Sequence, residues 1–457
     1  MKFETRLTAI VGLFLTLSFC SSFVFAQHSN HTGSTENPTP QAESPMKNMK
    51  QESSGHTAMG PRDCDENQVW DYSFGSCRQL VMAGMPMSMW MIHGNAFLVQ
   101  TVQEGARGRN RFTVPNMVMA EAGRSVGNKH YLDANLMLTA ERWTYPKEGY
   151  PELFQIGERN QDDQPYVDGQ HPHSSPIMGL TFSDTVRLGD GKDHVRIFFA
   201  PRGQATDGPT AFMHRPTGMI NPDAPLGHHI GQDVSHISST VLGASFGFGQ
   251  TRFEASTFHG EEPEPTKVDF PLGNLNSYAA RLIYEFSDDF SAMASAAQVK
   301  DPESHDPTLD KVSRYSASAY FQNHLKDGWM LHDAFVFGLV NNYDHVSALR
   351  SVLYEFWLHS DQPSNYWGRI ELVERTGAQL NITSFAKPLD PHWVTALTAG
   401  YTYNLAKFEN SKLGLGGSLT KNFAPSEFKD AYGGDPWSGK IFIQLTGMKM
   451  GGMGRSN

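Results

Sequence analysis

The feature that most constrains this chain is a rhythm that begins at Ser88. Segments of about ten residues alternate between two kinds of side chain, with turn residues between them. NAFLVQTV, VRIFFAP, STVLGASFGFG, SYAARLIYEF, SVLYEFWLH and GKIFIQLTG are examples. A period of two is strand geometry, because successive side chains point to opposite faces. About sixteen such segments fit between residues 88 and 447. Short turns alternate with long polar loops such as EEPEPTKVDFPLGNLN and KDPESHDPTLDKV, the pattern of an outer-membrane barrel. Lipid requires such a barrel to close, since an open edge leaves backbone groups unpaired. Beyond the N-terminal segment no run of 18 apolar residues occurs, which excludes spanning helices. No fixed-period repeat supports a propeller. The expected fold class is all-β: a transmembrane antiparallel β-barrel of about 14–16 strands with a disordered N-terminal extension.

Aromatic residues near strand ends read as interfacial girdles: Trp143, Tyr145, Tyr284, Trp329, Tyr354, Trp357, Tyr366 and Trp367. Charged strand residues, including Glu141, Arg142, Arg281, Asp333, Glu355, Arg369 and Glu371, read as a polar lumen wall or an ion-selecting filter. One departure from the pattern is the C-terminus. The last strand, near Lys440 to Gly447, is followed by MKMGGMGRSN instead of ending on an aromatic residue.

The N-terminus reads as a secretory signal peptide over residues 1–26. Lys2 and Arg6 precede a short apolar run, and Val24-Phe25-Ala26 fits cleavage before Gln27. Residues 27–62 lack Leu, Ile, Val and Phe, so they cannot bury enough apolar surface to order themselves. That segment is either a plain tether or, through its His and Met residues, a metal-capturing one. Cys64 and Cys77 are an even pair in an exported chain and are expected to form a disulfide; a two-thiolate metal site is the alternative. The expected organisation is a signal peptide (1–26), a flexible Met/His-rich extension with the disulfide loop (27–87), the barrel (88–447) and a Met/Gly-rich tail (448–457). A net charge of -11 argues against nucleic acid as a partner, which leaves outer-membrane lipid and metal ions.

Two stretches carry candidate chemistry. In MAGMPMSMWMIHG, Met85, Met87, Met89 and Met91 alternate along an extended chain and share a face, with His93 just beyond. Such a face is either packing, which is what Met usually provides, or a set of thioether ligands for copper. The second stretch runs from QHPHS at Gln170 to DVSH at His236. His171, His173, His214, His228, His229, Asp233 and His236 lie in its two Pro- and Gly-rich ends. Strands over 177–188 and 194–200, with a turn at 188–192, would return the chain to one side and bring the ends together. Imidazole suits copper and zinc among other metals, and Asp233 would orient a ligating ring. Arg215 opposes a cation there unless it pairs with Asp223 or Asp233. None of the spacings matches a defined zinc motif, and satisfied core histidines are the competing reading.

The blocks QHPH, AFMHRP, NPDAPLGHH and DVSHIS carry a resemblance, extended by WMIHGNAF, FEASTFHGEEP and AYGGDP across about residues 60–447. They resemble a poorly characterised family of bacterial outer-membrane β-barrel envelope proteins often associated with copper- and heavy-metal-resistance systems. The resemblance implies location and architecture, and an involvement with copper. No GxSxG, P-loop or HExxH occurs, so the chain is expected not to be an enzyme. The expected function is envelope metal binding, transport or resistance. A porin-like or structural barrel without metal is one alternative, and an outer-membrane enzyme using the His-rich loops is another.

Overall fold

A computed structural model describes residues 60–81, 88–160, 162, 164–173, 175–263, 267–270, 272–303, 306–382 and 387–452. The signal peptide, most of the N-terminal extension, Met85 and Met87 lie outside the described residues. A small hairpin comes first, β1 (Gln68–Asp71) and β2 (Ser76–Gln79). The barrel then opens with β3 (Ser88–Gln103), β4 (Arg111–Thr113), β5 (Asn116–Val126) and β6 (His130–Leu138). An inserted hairpin follows, β7 (Tyr150–Arg159) and β8 (Pro165–Gln170). The wall continues with β9 (Ile177–Arg187), β10 (His194–Gly203), β11 (Ser238–Phe248), β12 (Thr251–His259), β13 (Ser277–Ser287) and β14 (Phe290–Lys300). It is completed by β15 (Lys311–His324), β16 (Met330–Asn341), β17 (Leu349–His359), β18 (Ser364–Arg375), β19 (His392–Lys407), β20 (Ser411–Phe423) and β21 (Trp437–Gly452).

The sheet closes on itself: β21 pairs antiparallel with β3 from Ser438↔Gln103 to Gly452↔Met89. The short β4 and β5 pair with successive parts of β3 and act as one stave, so the wall has 16 staves. This matches the count expected from the alternation. The last strand runs past the expected barrel end at Gly447, so Met448 and Met450 belong to the wall and not to a tail. Outward positions carry large apolar side chains in the open, such as Ile197, Leu282, Phe335 and Ile441. Inward positions of the wall are polar and buried, including Arg196, Arg281, Glu355 and Arg369. A closed wall with an apolar outside is the membrane-spanning solution, because every backbone group is paired within the wall.

The inside is filled by the chain itself. Short turns, such as that between Val126 and His130, share one rim with Ser88 and Gly452; the long connections share the other. From the long-loop rim, residues 204–237 fold into the lumen as a plug in which nearly every residue is buried. Its backbone is held by inward side chains of the far wall. The Leu226 N–H donates to Glu371 at 2.6 Å, and Arg369 donates to the carbonyls of Asp223 and Ala224 at 3.0 Å. Arg215 donates to Glu355 at 3.0 Å, and Thr210 N–H to the Tyr320 hydroxyl at 3.1 Å. The backbones of plug and wall meet at Gly231, which has φ +71 and lies against Gly338 on β16. A Cβ on Gly338 would meet the Ile230 carbonyl oxygen at 2.0 Å, so glycine is required for the plug to touch the wall there.

From the tight-turn rim enters the disulfide hairpin. Cys64 and Cys77 are bonded, with Cα atoms 5.3 Å apart. The sequence placed this loop within a flexible extension, yet residues 60–81 are folded. Trp70 and Tyr72 pack on the wall residues Ile283 and Met293, and Arg78 pairs with Asp71 and Asp133 at 2.6 Å. The amphipathic hairpin orders because the lumen supplies an apolar patch and charged partners that a free segment lacks. Three girdle assignments change for the same reason. Trp357 and Trp367 are buried and point inward, packing in a luminal cluster with Phe97 and Phe442. Tyr145 is likewise drawn inside, where its hydroxyl donates to Glu141 at 3.1 Å.

Candidate metal centre

The expected hairpin exists. β9 and β10 pair through a turn over residues 188–193, which returns both His-bearing segments to the long-loop rim. His171 and His173 follow β8, just before the wall resumes at β9. His228, His229, Asp233 and His236 lie on the plug, where the chain makes two tight, irregular turns before β11. Pro172, Gly227 and Gly231 break regular structure on both sides and let the imidazoles crowd together.

The crowding is close. One ring nitrogen each from His171, His228 and His229 lie within 4.8 Å of one another, and the same holds for ligand atoms of His228, Asp233 and His236. His228 therefore belongs to both groups. Its ring sits 4.6 Å from that of His229 and 5.2 Å from that of His236, centroid to centroid. Among the described residues, neither nitrogen of His228 or His229 has a hydrogen-bond partner, nor has Nε2 of His171 or Oδ1 of Asp233. Asp233 faces His228 and His236 at 3.7 Å and accepts the Phe212 N–H at 3.2 Å.

The clearest geometry is between His173 and His236. Nδ1 of His173 donates to the Glu141 carboxylate at 2.6 Å. Nδ1 of His236 donates to the Asp233 carbonyl at 2.6 Å. Both partners accept, so each Nδ1 carries a proton. The two Nε2 atoms are 3.0 Å apart. That separation suits one positive species held between them, a shared proton or a metal ion.

Burial sets the protonation of the rest. It pushes the His236 imidazole down to about 4 and the His214 ring to about 3. Burial, then the neighbouring His228, hold His171 and His229 well below the ordinary histidine value. His171, His214, His229 and His236 are therefore neutral at physiological pH, the form that binds a metal. For Glu141, burial alone would raise the carboxyl, but His173 outweighs it and holds the group below the usual range.

Of the residues proposed from the sequence, His171, His173, His228, His229, Asp233 and His236 converge. His214 does not join them; it packs edge-on against Phe74 at 6.1 Å on another face of the plug. Arg215 does not oppose a cation here, nor does it pair with Asp223 or Asp233, because Glu355 neutralises it. Glu141 was read as lumen wall on a strand. It lies instead in a short helix, Glu141–Thr144, and is the outer partner of His173. Nothing local marks that pairing, because the carboxylate lies thirty-two residues from the imidazole. Met89, Met91 and His93 lie on β3 with Ile92 facing lipid between them, so all three face inward, near the tight-turn rim and away from this centre.

No family model matches this chain, and no curated protein matches it. Solved barrels do. An anion-selective porin from Comamonas acidovorans shares 11% identity over 80% of this chain and 99% of that one, with a TM-score of 0.46. OmpF of Salmonella typhi, solved with daunomycin, shares 10% over 79% and 97%, with a TM-score of 0.48. Outer-membrane expressed OmpT of Vibrio cholerae shares 7% over 80% and 100%, with a TM-score of 0.45. These are likenesses of architecture; the account of the buried centre comes from this chain's own side chains.

Proposed function

We propose that this protein is an outer-membrane barrel of the bacterial envelope that closes its lumen with its own chain and binds a divalent transition-metal ion, copper or zinc, in the plug. The observation that carries the reading is the approach of the His173 and His236 Nε2 atoms to 3.0 Å. An ion there would be bound by both rings, with Glu141 and the Asp233 carbonyl holding them as outer partners. His228 and Asp233 offer ligand atoms within 4.8 Å of each other and of one on His236, and His171 and His229 supply further nitrogens beside them. Imidazoles with a carboxylate fit Cu(II) and Zn(II) better than hard cations such as Mg²⁺ or Ca²⁺. A narrow cleft lined by His171, His173, Met178, Arg202, His236 and Glu262 leads to the centre beside the β12–β13 connection. The role is binding, for sequestration or transfer at the cell surface, and not turnover.

The competing reading is a porin-like or structural barrel without metal, in which His173 and His236 share one proton. Metal analysis separates the two. Protein purified in detergent, loaded with Cu(II) or Zn(II) and desalted should retain at least one equivalent. The His173→Ala/His236→Ala variant should lose it while keeping the heat-modifiable mobility of a folded barrel. A wild type that retains none, or a variant that retains as much, removes the metal reading.

A further inference from the structure

A second set of donors lies in the same lumen and contains no member of the imidazole–carboxylate centre. On β3, His93 stands in register with Met119 of β5 on one side and Met448 of β21 on the other. Met119 stands in turn opposite Met137 of β6. Directly opposed residues bring their Cβ atoms to roughly 5 Å. These four positions thus form a continuous inward-facing row across four staves. Met119 and Met137 are fully buried, in one cluster with Met117, Met178 and Phe74. Met213, on the plug, packs onto that cluster, and the adjacent His214 ring meets Phe74 edge-on.

Methionine is a common gap-filler, and packing would account for one or two of these residues. It does not account for the two imidazoles. Among the described residues, Nε2 of His93 and Nδ1 of His214 are buried without a hydrogen-bond partner, in surroundings that a leucine or phenylalanine would fill more favourably. Thioethers with imidazole are the donors that select soft cations over hard or borderline ones. Met91 and Met450, opposed on β3 and β21 nearer the tight-turn rim, extend the row towards that mouth.

We infer that His93, Met119, Met137 and Met448, together with Met213 and His214 of the plug, form a second metal site that takes a soft closed-shell cation, Cu(I) or its analogue Ag(I). It is distinct from the imidazole–carboxylate centre and stands or falls separately. The wall supplies the thioethers, and the plug closes the site from within.

The test uses the full-length protein in detergent under anaerobic conditions. Ag(I) uptake is counted by mass spectrometry after desalting, and Cu(I) affinity is measured against a competing chromophoric chelator. Met119→Leu/Met137→Leu keeps the volume nearly constant. Relative to wild type it should lose about one equivalent of Ag(I) and bind Cu(I) at least tenfold more weakly, with Zn(II) uptake unchanged. His173→Ala/His236→Ala should do the reverse. X-ray absorption of the Cu(I) form should show sulfur and nitrogen neighbours. If the double leucine variant loses heat-modifiable folding, Met448→Leu, on the less buried side of the row, replaces it. Unchanged Ag(I) uptake in the folded leucine variant, or a Cu(I) spectrum with nitrogen and oxygen alone, overturns the second site whatever the fate of the first.

Discussion

Replacing Glu355 by Gln should release the plug while leaving the barrel standing. Glu355 sits on β17, fully buried, and is the pivot between wall and plug. One carboxylate oxygen accepts from Arg215 and Thr217 of the plug, both at 3.0 Å. The other accepts from Nε of Arg369 on the neighbouring strand at 2.9 Å, with Nη2 of the same guanidinium 2.7 Å away. The amide conserves shape but takes from two buried guanidinium groups the carboxylate they both contact. Removing one partner of a buried ion pair costs about 3–5 kcal/mol. Arg369 also holds two plug carbonyls, so most of that cost falls on the plugged state. At about 1.4 kcal/mol per decade, the closed-to-open ratio of the plug should fall roughly a hundred- to several-thousand-fold. Amide hydrogen exchange reads this directly, since local opening is reported segment by segment. Protection over residues 204–237 should drop by that factor in Glu355→Gln, while strands β13 to β20 keep theirs. In planar bilayers the wild type should show no sustained large conductance, and the variant should show opening events. Unchanged protection over 204–237 would refute the reasoning, as would a loss spread evenly over the wall.

Three further outcomes follow from the same contacts. Placing a methyl group on Gly338 (Gly338→Ala) sets a carbon 2.0 Å from the Ile230 oxygen, so protection of 226–233 should fall while the far strands are unaffected, again by hydrogen exchange. Burial alone would raise the Asp71 carboxyl, but Arg78 and Arg196 outweigh it and hold it well below the usual carboxylate range. A depressed carboxylate contributes stability that is complete above its unfolded value near 4 and is lost as pH falls towards the folded value. Protease access to residues 60–81 should therefore stay low at pH 5–7 and rise below about pH 4; in Asp71→Asn it should be high at every pH. Finally, Cys64 and Cys77 should resist thiol labelling until reductant is added. Cys64→Ser/Cys77→Ser should destabilise docking of the hairpin by about 3 kcal/mol, measured as denaturant-dependent protease access.

Alternation with period two, turn residues between segments and the lack of a long apolar run were enough to define a closed barrel of about 14–16 strands, and the structure sets the number at sixteen staves. Lipid permits few other solutions for such a pattern, and each strand reports its two faces locally. The disulfide was legible because spacing and an exported context leave few choices. Convergence of His171 and His173 with His228 to His236 was legible too, because a single hairpin separates the two ends. What the sequence could not reveal was where the polar loops go. Residues 60–81 and 204–237 read as loops, since Gly, Pro and polar residues dominate them. Their burial depends on partners far away in the chain: Glu355 for Arg215, Asp133 for Arg78, Glu141 for His173. The same holds for Trp357 and Trp367, whose place at strand ends suggested lipid, but whose inward phase was set by register with neighbouring strands. Strand periodicity is a local property and is written in adjacent residues. A plug is a set of long-range charge and hydrogen-bond pairings, and those exist only once the wall has closed around them.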